Sequence, residues 1–178
     1  TLDDAIGECF DKVARVLDLK YPGGPNIERL AKIGKYTYDL PIPMNNNELN
    51  FSFSGLKSAV INLVHNERQR GKEVRKEDMA NSFQTVAIDE IVRKTSLAIK
   101  NTGIKRLIVA GGVSANGYLR DELEKMSKEM NIDLSIPPLK YCTDNATMIA
   151  CAAYPLYLKN EFTDYTLNGK SQDYFFKN

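Results

Sequence analysis

The run Lys105-Arg106-Leu107-Ile108-Val109-Ala110, continuing directly into Gly111-Gly112-Val113-Ser114-Ala115-Asn116, constrains the fold of this chain more than any other segment. A short, uniformly apolar stretch after a basic start is the pattern of a strand buried on both faces of a parallel or mixed sheet. Two glycines then turn the chain into a helix expected to run to about Met130. Ile132 to Ile136 reads as another strand, Pro137-Pro138 stops it, and Thr143 opens a helix reaching about Leu158. This order predicts an α/β unit with helices on both sides of a small sheet.

The upstream half reads as mostly helical. From Asp3 to Leu19 apolar residues fall at 5/6, 9/10, 13/14 and 16/17, while Asp4, Glu8, Asp11, Arg15 and Asp18 step by three and four, giving an amphipathic helix. Tyr21-Pro22-Gly23-Gly24-Pro25 forces a turn, and Asn26 to Ile33 predicts a short helix closed by Gly34. Residues 35–50 read as loop. Phe51-Ser52-Phe53-Ser54 alternates like a half-buried strand, after which Leu56, Ala59, Val60, Leu63 and Val64 have helical spacing. A long helix is expected over Glu77 to Asn101, closed by Gly103.

A length of 178 residues is the size of one domain, or of one lobe of something larger. The N-terminus, Thr-Leu-Asp-Asp, lacks the Met and the apolar segment of a leader, so the expectation is a piece of a longer protein. With 43% apolar and 26% charged residues the chain is globular in composition, and its net charge of +1 marks no bulk attraction to nucleic acid or membrane. Three cysteines, an odd number without C-x-x-C spacing, argue against a disulfide framework and fit a reducing, cytoplasmic compartment. The longest apolar stretch, from Met148, falls short of the roughly 20 residues that span a bilayer, so no membrane partner is expected.

Candidate chemistry gathers at a few places. The Gly111 to Asn116 turn lies where open α/β sheets bind ligands, at a strand's carboxyl end and a helix N-terminus. It matches neither a Walker A loop nor G-x-G-x-x-G, and it serves equally as a tight turn with Ser114 or Asn116 satisfying helix donors. Asp144, in Cys142-Thr143-Asp144-Asn145, is open to two readings, a helix cap or one ligand of a metal. Asp11 sits on the polar face of the first helix, where solvated charge is the ordinary state. Tyr21 to Pro25 is a rigid turn whose amides can also meet phosphate or ribose. Ser54 lacks a Gly-x-Ser-x-Gly elbow, and His65 is the only histidine, so a serine hydrolase is rejected. Arg68, Arg70, Lys72, Arg75 and Lys76 alternate with acids and read as a solvated loop.

Taken together, five segments resemble one family: Asp3-Asp4-Ala5-Ile6-Gly7-Glu8-Cys9-Phe10-Asp11-Lys12, Tyr21-Pro22-Gly23-Gly24-Pro25, Phe51-Ser52-Phe53-Ser54-Gly55-Leu56-Lys57, Ala110 to Asn116, and Cys142 to Asn145. They are similar to the second half of the TsaD family, tRNA adenosine threonylcarbamoyltransferases formerly labelled glycoproteases. The resemblance implies an actin-like ATPase fold (ASKHA, RNase H-like), with residues 1–158 forming a C-terminal lobe with a mixed sheet flanked by helices, 159–178 a tail, and the N-terminal lobe absent. It implies transfer of threonylcarbamoyl from threonylcarbamoyl-AMP to N6 of the adenosine 3′ of the anticodon in tRNA. By motif position, Asp11, Gly24, Glu28 and Asn116 would contact the adenylate, Glu28 standing where bacterial members commonly have Asp. Asp144 would ligate one divalent metal (iron, zinc or magnesium) together with two histidines not found in this chain. The implied partners are tRNA and TsaB- and TsaE-type proteins, and the chain alone is expected to be inactive.

Three other readings compete: an actin-like ATPase or sugar kinase lobe, a metalloprotease as in the older family label, and a non-catalytic interaction module. Peptide hydrolysis at a metal usually needs an adjacent general base, as in H-E-x-x-H, and no such motif is present.

Overall fold

The computed structural model of the chain describes residues 3–168. The first two residues and the end of the expected tail, residues 169–178, lie outside the described residues. Among the described residues, six α-helices and two strands follow in the order α1 (Ile6–Val16), α2 (Gly23–Ala31), α3 (Ser54–Gln69), α4 (Lys76–Thr102), β1 (Arg106–Ile108), α5 (Gly117–Met130), β2 (Asp133–Ser135) and α6 (Ala146–Leu158). Short 3-10 turns occupy Gly112–Ala115 and Leu139–Tyr141. One compact unit ends at Thr143 and a second begins at Asp144.

In the first unit the core forms around α4. Met79, Ala80, Phe83, Val86, Ala87 and Ile88 are buried along it, and it packs most extensively against α2 and also against α3 and α5. Helix α1 contributes Cys9, Phe10, Val13 and Ala14, with the Phe10 and Phe83 rings edge to face at 4.9 Å. Gly103 ends α4 at φ 69°, the left-handed conformation in which glycine carries no Cβ penalty, so the expected stop is observed. Loop 35–50 is tied down by buried Lys94, which donates to the Asn50 carbonyl, and by Arg93, which donates to the Asn46 carbonyl at 2.8 Å.

Strands β1 and β2 pair in parallel, Arg106 with Asp133, Leu107 with Leu134 and Ile108 with Ser135. The fold is thus a helix-rich α/β unit with a small parallel sheet, and no antiparallel strand that would make it mixed occurs among the described residues. Two-sided burial of β1 is corrected by the structure. Leu107, Val109, Leu134 and Ile136 pack on the core, whereas Ile108 is 79% exposed, because only one face of this two-stranded sheet meets the core.

Two further expectations are corrected. Phe51 to Ser54 forms no strand: Phe53 is buried, its carbonyl accepts from the Cys9 thiol at 3.6 Å, and the Ser52 and Ser54 hydroxyls donate to Asp3. The alternation there records one buried side without a ladder. Helix α2 starts at Gly23 rather than Asn26, so the Gly-Gly-Pro sequence is its first turn. Proline is tolerated there because first-turn donors have no partner inside the helix.

In the second unit, Asn145 caps α6 by accepting from the Met148 amide at 3.1 Å. The helix is apolar around its circumference, with Ile149, Tyr154, Tyr157 and Leu158 exposed. Its 13 residues are too few to cross a membrane, and no helix among the described residues is both long and apolar enough to do so.

Candidate functional site

A cavity of about 390 Å3 opens in the first unit, within the range of small-molecule sites. Its walls are Gly7, Phe10 and Asp11 from α1, then Pro22, Gly24, Pro25 and Glu28 from the start of α2. Gly112, Val113, Ala115 and Asn116 follow from the glycine-rich turn, with Thr143 beside them. The structure therefore brings Asp11, Gly24, Glu28 and Asn116 to one cavity, although the first three precede the last by 105, 92 and 88 residues. Asp144 is exposed and belongs to the second unit.

Each polar side chain in this cavity also holds the scaffold. Asp11 is not a freely solvated charge: its Oδ1 accepts from the Gly23 amide at 2.7 Å and so caps α2 from a neighbouring helix. Glu28 accepts from the Gly117 amide at 3.2 Å, placing a carboxylate against the positive end of α5. It also pairs with Lys32 at 2.9 Å, and this hydrogen bond raises the Lys32 pKa. Asn116 caps α5 by accepting from the Leu119 amide at 3.0 Å and donates to buried Gln84 at 2.8 Å. One N–H and one lone pair of its amide remain for a ligand.

The α5 N-terminus is consequently less open than the sequence implied. Two of its amides already meet protein acceptors, and a phosphate there would face the Glu28 carboxylate. Hydroxyl groups fit better, since both carboxylates can accept from them. The preceding 3-10 turn differs: its first bond runs from the Ser114 amide to the Gly111 carbonyl at 3.0 Å, so the amides of Gly112 and Val113 precede any internal bond. Around these groups Phe10, Pro22, Pro25, Val113 and Ala115 supply an apolar lining suited to a flat ring.

Glycine sets the close approaches. A Cβ on Gly23 would lie 2.7 Å from both Ala14 Cβ and Asp11 Cα, so only glycine lets α2 seat on α1. A Cβ on Gly24 would meet nothing within 4 Å and would project into open space. Sequence reasoning singled out Gly24 and missed Gly23, Gln84 and Gly117, whose roles arise from contacts distant in sequence.

No group of three His, Cys, Asp or Glu residues that could hold an ion occurs among the described residues. His65 is exposed on α3 beside Gln69. Asp144 alone does not make a ligand set.

These features define a helix-rich α/β unit with a cavity beyond the carboxyl end of a parallel strand, the place where open α/β sheets bind ligands. The chain belongs to the TsaD family: the profile of "TsaD: tRNA N6-adenosine threonylcarbamoyltransferase" matches residues 1–151. Among curated proteins, the tRNA N6-adenosine threonylcarbamoyltransferase of Staphylococcus haemolyticus is 51% identical over 172 residues, covering 96% of this chain and 50% of that protein. Those of Anoxybacillus flavithermus and Moorella thermoacetica are 51% and 49% identical over 170 and 171 residues, each covering 94% of this chain and 50% of the relative. The chain spans about half the length of the curated relatives it matches.

Proposed function

We propose that this chain is the adenylate-holding half of a tRNA N6-adenosine threonylcarbamoyltransferase with the actin-like fold of its family, acting in the cytoplasm. The observation that carries the reading is the convergence of Asp11, Gly24, Glu28 and Asn116 on one cavity of nucleotide size. In this reading the carboxylates of Asp11 and Glu28 accept from ribose hydroxyls, Gly24 admits close approach of the ligand, and Asn116 contributes its remaining donor and acceptor. The apolar walls take the adenine ring.

The substrate is threonylcarbamoyl-AMP. The N6 amine of the tRNA adenosine adds to the carbamoyl carbon, a C–N bond forms, the C–O bond to phosphate breaks, and AMP leaves with that electron pair while N6 loses a proton. This chain's contribution is to bind and orient the AMP portion, which lowers the entropy cost of the encounter. Asp144 serves as one ligand of a divalent metal, iron, zinc or magnesium, completed by two histidines outside this chain. The acceptor is tRNA, with TsaB- and TsaE-type proteins as partners.

The test is depletion of the gene followed by mass spectrometry of tRNA nucleosides. Threonylcarbamoyladenosine is expected to disappear, and to return with the wild-type gene but not with Gly24→Val. Unchanged threonylcarbamoyladenosine after depletion would sink the reading.

A further inference from the structure

Arg120, on the first turn of α5, lies outside the cavity yet is bonded to both segments that form one end of it. Its Nε donates to the Ser114 carbonyl at 2.7 Å, within the glycine-rich turn. Its Nη2 donates to the Pro137 carbonyl at 2.6 Å and to Cys142 Sγ at 3.2 Å, at either end of the segment that runs on to Thr143. Cys142 is 2% exposed, and its thiol is also within reach of the Pro137 and Pro138 carbonyls, at 3.8 and 3.6 Å. One planar cation thus gathers acceptors from two loops separated by α5 and β2. Lysine carries its three donors on one nitrogen and lacks the planar fork that reaches both segments at once.

We propose that Arg120 is a positioning residue for the cavity, holding the Gly112 to Asn116 turn and the Cys142-Thr143 wall at a fixed separation. The proposal rests on the adenylate reading for its ligand. Losing the charge-assisted bonds to both segments would loosen the separation of the two walls. The amides of Gly112 and Val113 would then lose their alignment with groups contributed from the Thr143 side.

The experiment compares the 178-residue chain with Arg120→Gln and Arg120→Lys, reading peptide-resolved iodoacetamide labelling and AMP affinity. The three cysteines report separately: Cys151 is exposed, Cys142 is buried and bonded to Arg120, and Cys9 is buried in the core and bonded to the Phe53 carbonyl. In both variants Cys142 labelling is expected to accelerate about tenfold or more and AMP affinity to fall by about tenfold, with Cys9 unchanged, about 1.4 kcal/mol in affinity. Unchanged Cys142 labelling overturns the proposal, as does parallel acceleration of Cys9 and Cys142 in both variants, which makes Arg120 a residue of global stability. Faster Cys142 labelling with AMP affinity intact also overturns it, because the cavity then does not depend on the clamp. Failure of the wild-type chain to bind AMP removes the adenylate reading alone, and the labelling comparison still decides whether Arg120 positions the two walls.

Discussion

The Glu28 carboxylate on α2 accepts a hydrogen bond from the Gly117 amide, 89 residues away, at the first position of α5. The contact joins two helices, and Glu28 at the same time lines the cavity. Truncation by Glu28→Ala removes it together with the Lys32 pair. We expect a loss of about 1–2 kcal/mol in urea unfolding and, in the same variant, AMP affinity reduced at least severalfold. An unchanged denaturation midpoint would show that the carboxylate does not secure α5.

Adjacent glycines should behave oppositely. Gly23→Ala forces a methyl against Asp11 and Ala14 and is expected to cost about 1–3 kcal/mol through overpacking. Gly34→Ala, whose methyl would fall on the Glu77 carbonyl, should be at least as damaging because backbone cannot easily yield. Gly24→Ala has open space around it and should leave the thermal midpoint nearly unchanged or slightly raised, while weakening AMP binding by occupying the cavity. Calorimetry of the three variants separates these outcomes.

Gln84 and Ser114 make a second contrasting pair. Gln84→Leu strips the Asn116 amide of its buried acceptor and should cost about 1–3 kcal/mol. The Ser114 hydroxyl, buried with no hydrogen-bond partner, already bears its desolvation penalty, so Ser114→Ala should be neutral or stabilising by up to about 1 kcal/mol. Denaturant unfolding of both variants would reveal a reversed order, which would contradict the assigned contacts.

Acid stability should depend on Asp4. Its hydrogen bonds to Lys57 and Lys12 hold its pKa below the ordinary carboxylate value of 3.8. A carboxylate with a depressed folded pKa contributes stability above its unfolded pKa, and that contribution is lost as pH falls through the folded pKa. The urea midpoint of the wild-type chain should therefore drop more steeply than that of Asp4→Asn as pH is lowered from about 5 through the region below 4. Parallel curves would remove Asp4 from the acid response.

At the alkaline end, Cys9 acts in the opposite sense. Burial pushes its thiol from 9.0 up to about 12. The stability linked to the neutral thiol is complete below pH 9 and declines as pH rises through about 12. Alkylation at pH 8 should therefore modify exposed Cys151 well before Cys9, a ranking that peptide mass spectrometry reads directly.

Helices were legible where periodicity and terminal residues agreed. Both ends of α4 fall within a residue of their expected positions, because acidic first-turn residues and Gly103 mark them locally. The start of α2 was misjudged because its cap is the side chain of Asp11, twelve residues earlier and on another helix. Phe51 to Ser54 mimicked a strand because alternating burial does not require a partner strand. The four adenylate candidates came from family motifs rather than from periodicity. Nothing local distinguishes Gln84, one polar residue in a helix that buries several, or Arg120, one arginine on a charged helix, until the fold brings their partners to them.

In this cavity, variation is constrained unequally. Gly7, Gly24 and Gly112 present only main chain, while Asp11, Glu28 and Asn116 each tie together helix ends that would otherwise lack partners. Altering a polar group there changes recognition and scaffold at once. Phe10 is committed to the core beside Phe83. Among the remaining lining side chains, Pro25, Val113 and Ala115 are positions where the shape of the accepted ligand can be retuned at low structural cost. Engineering of new substrate preference, and natural drift within the lineage, should concentrate on those three side chains.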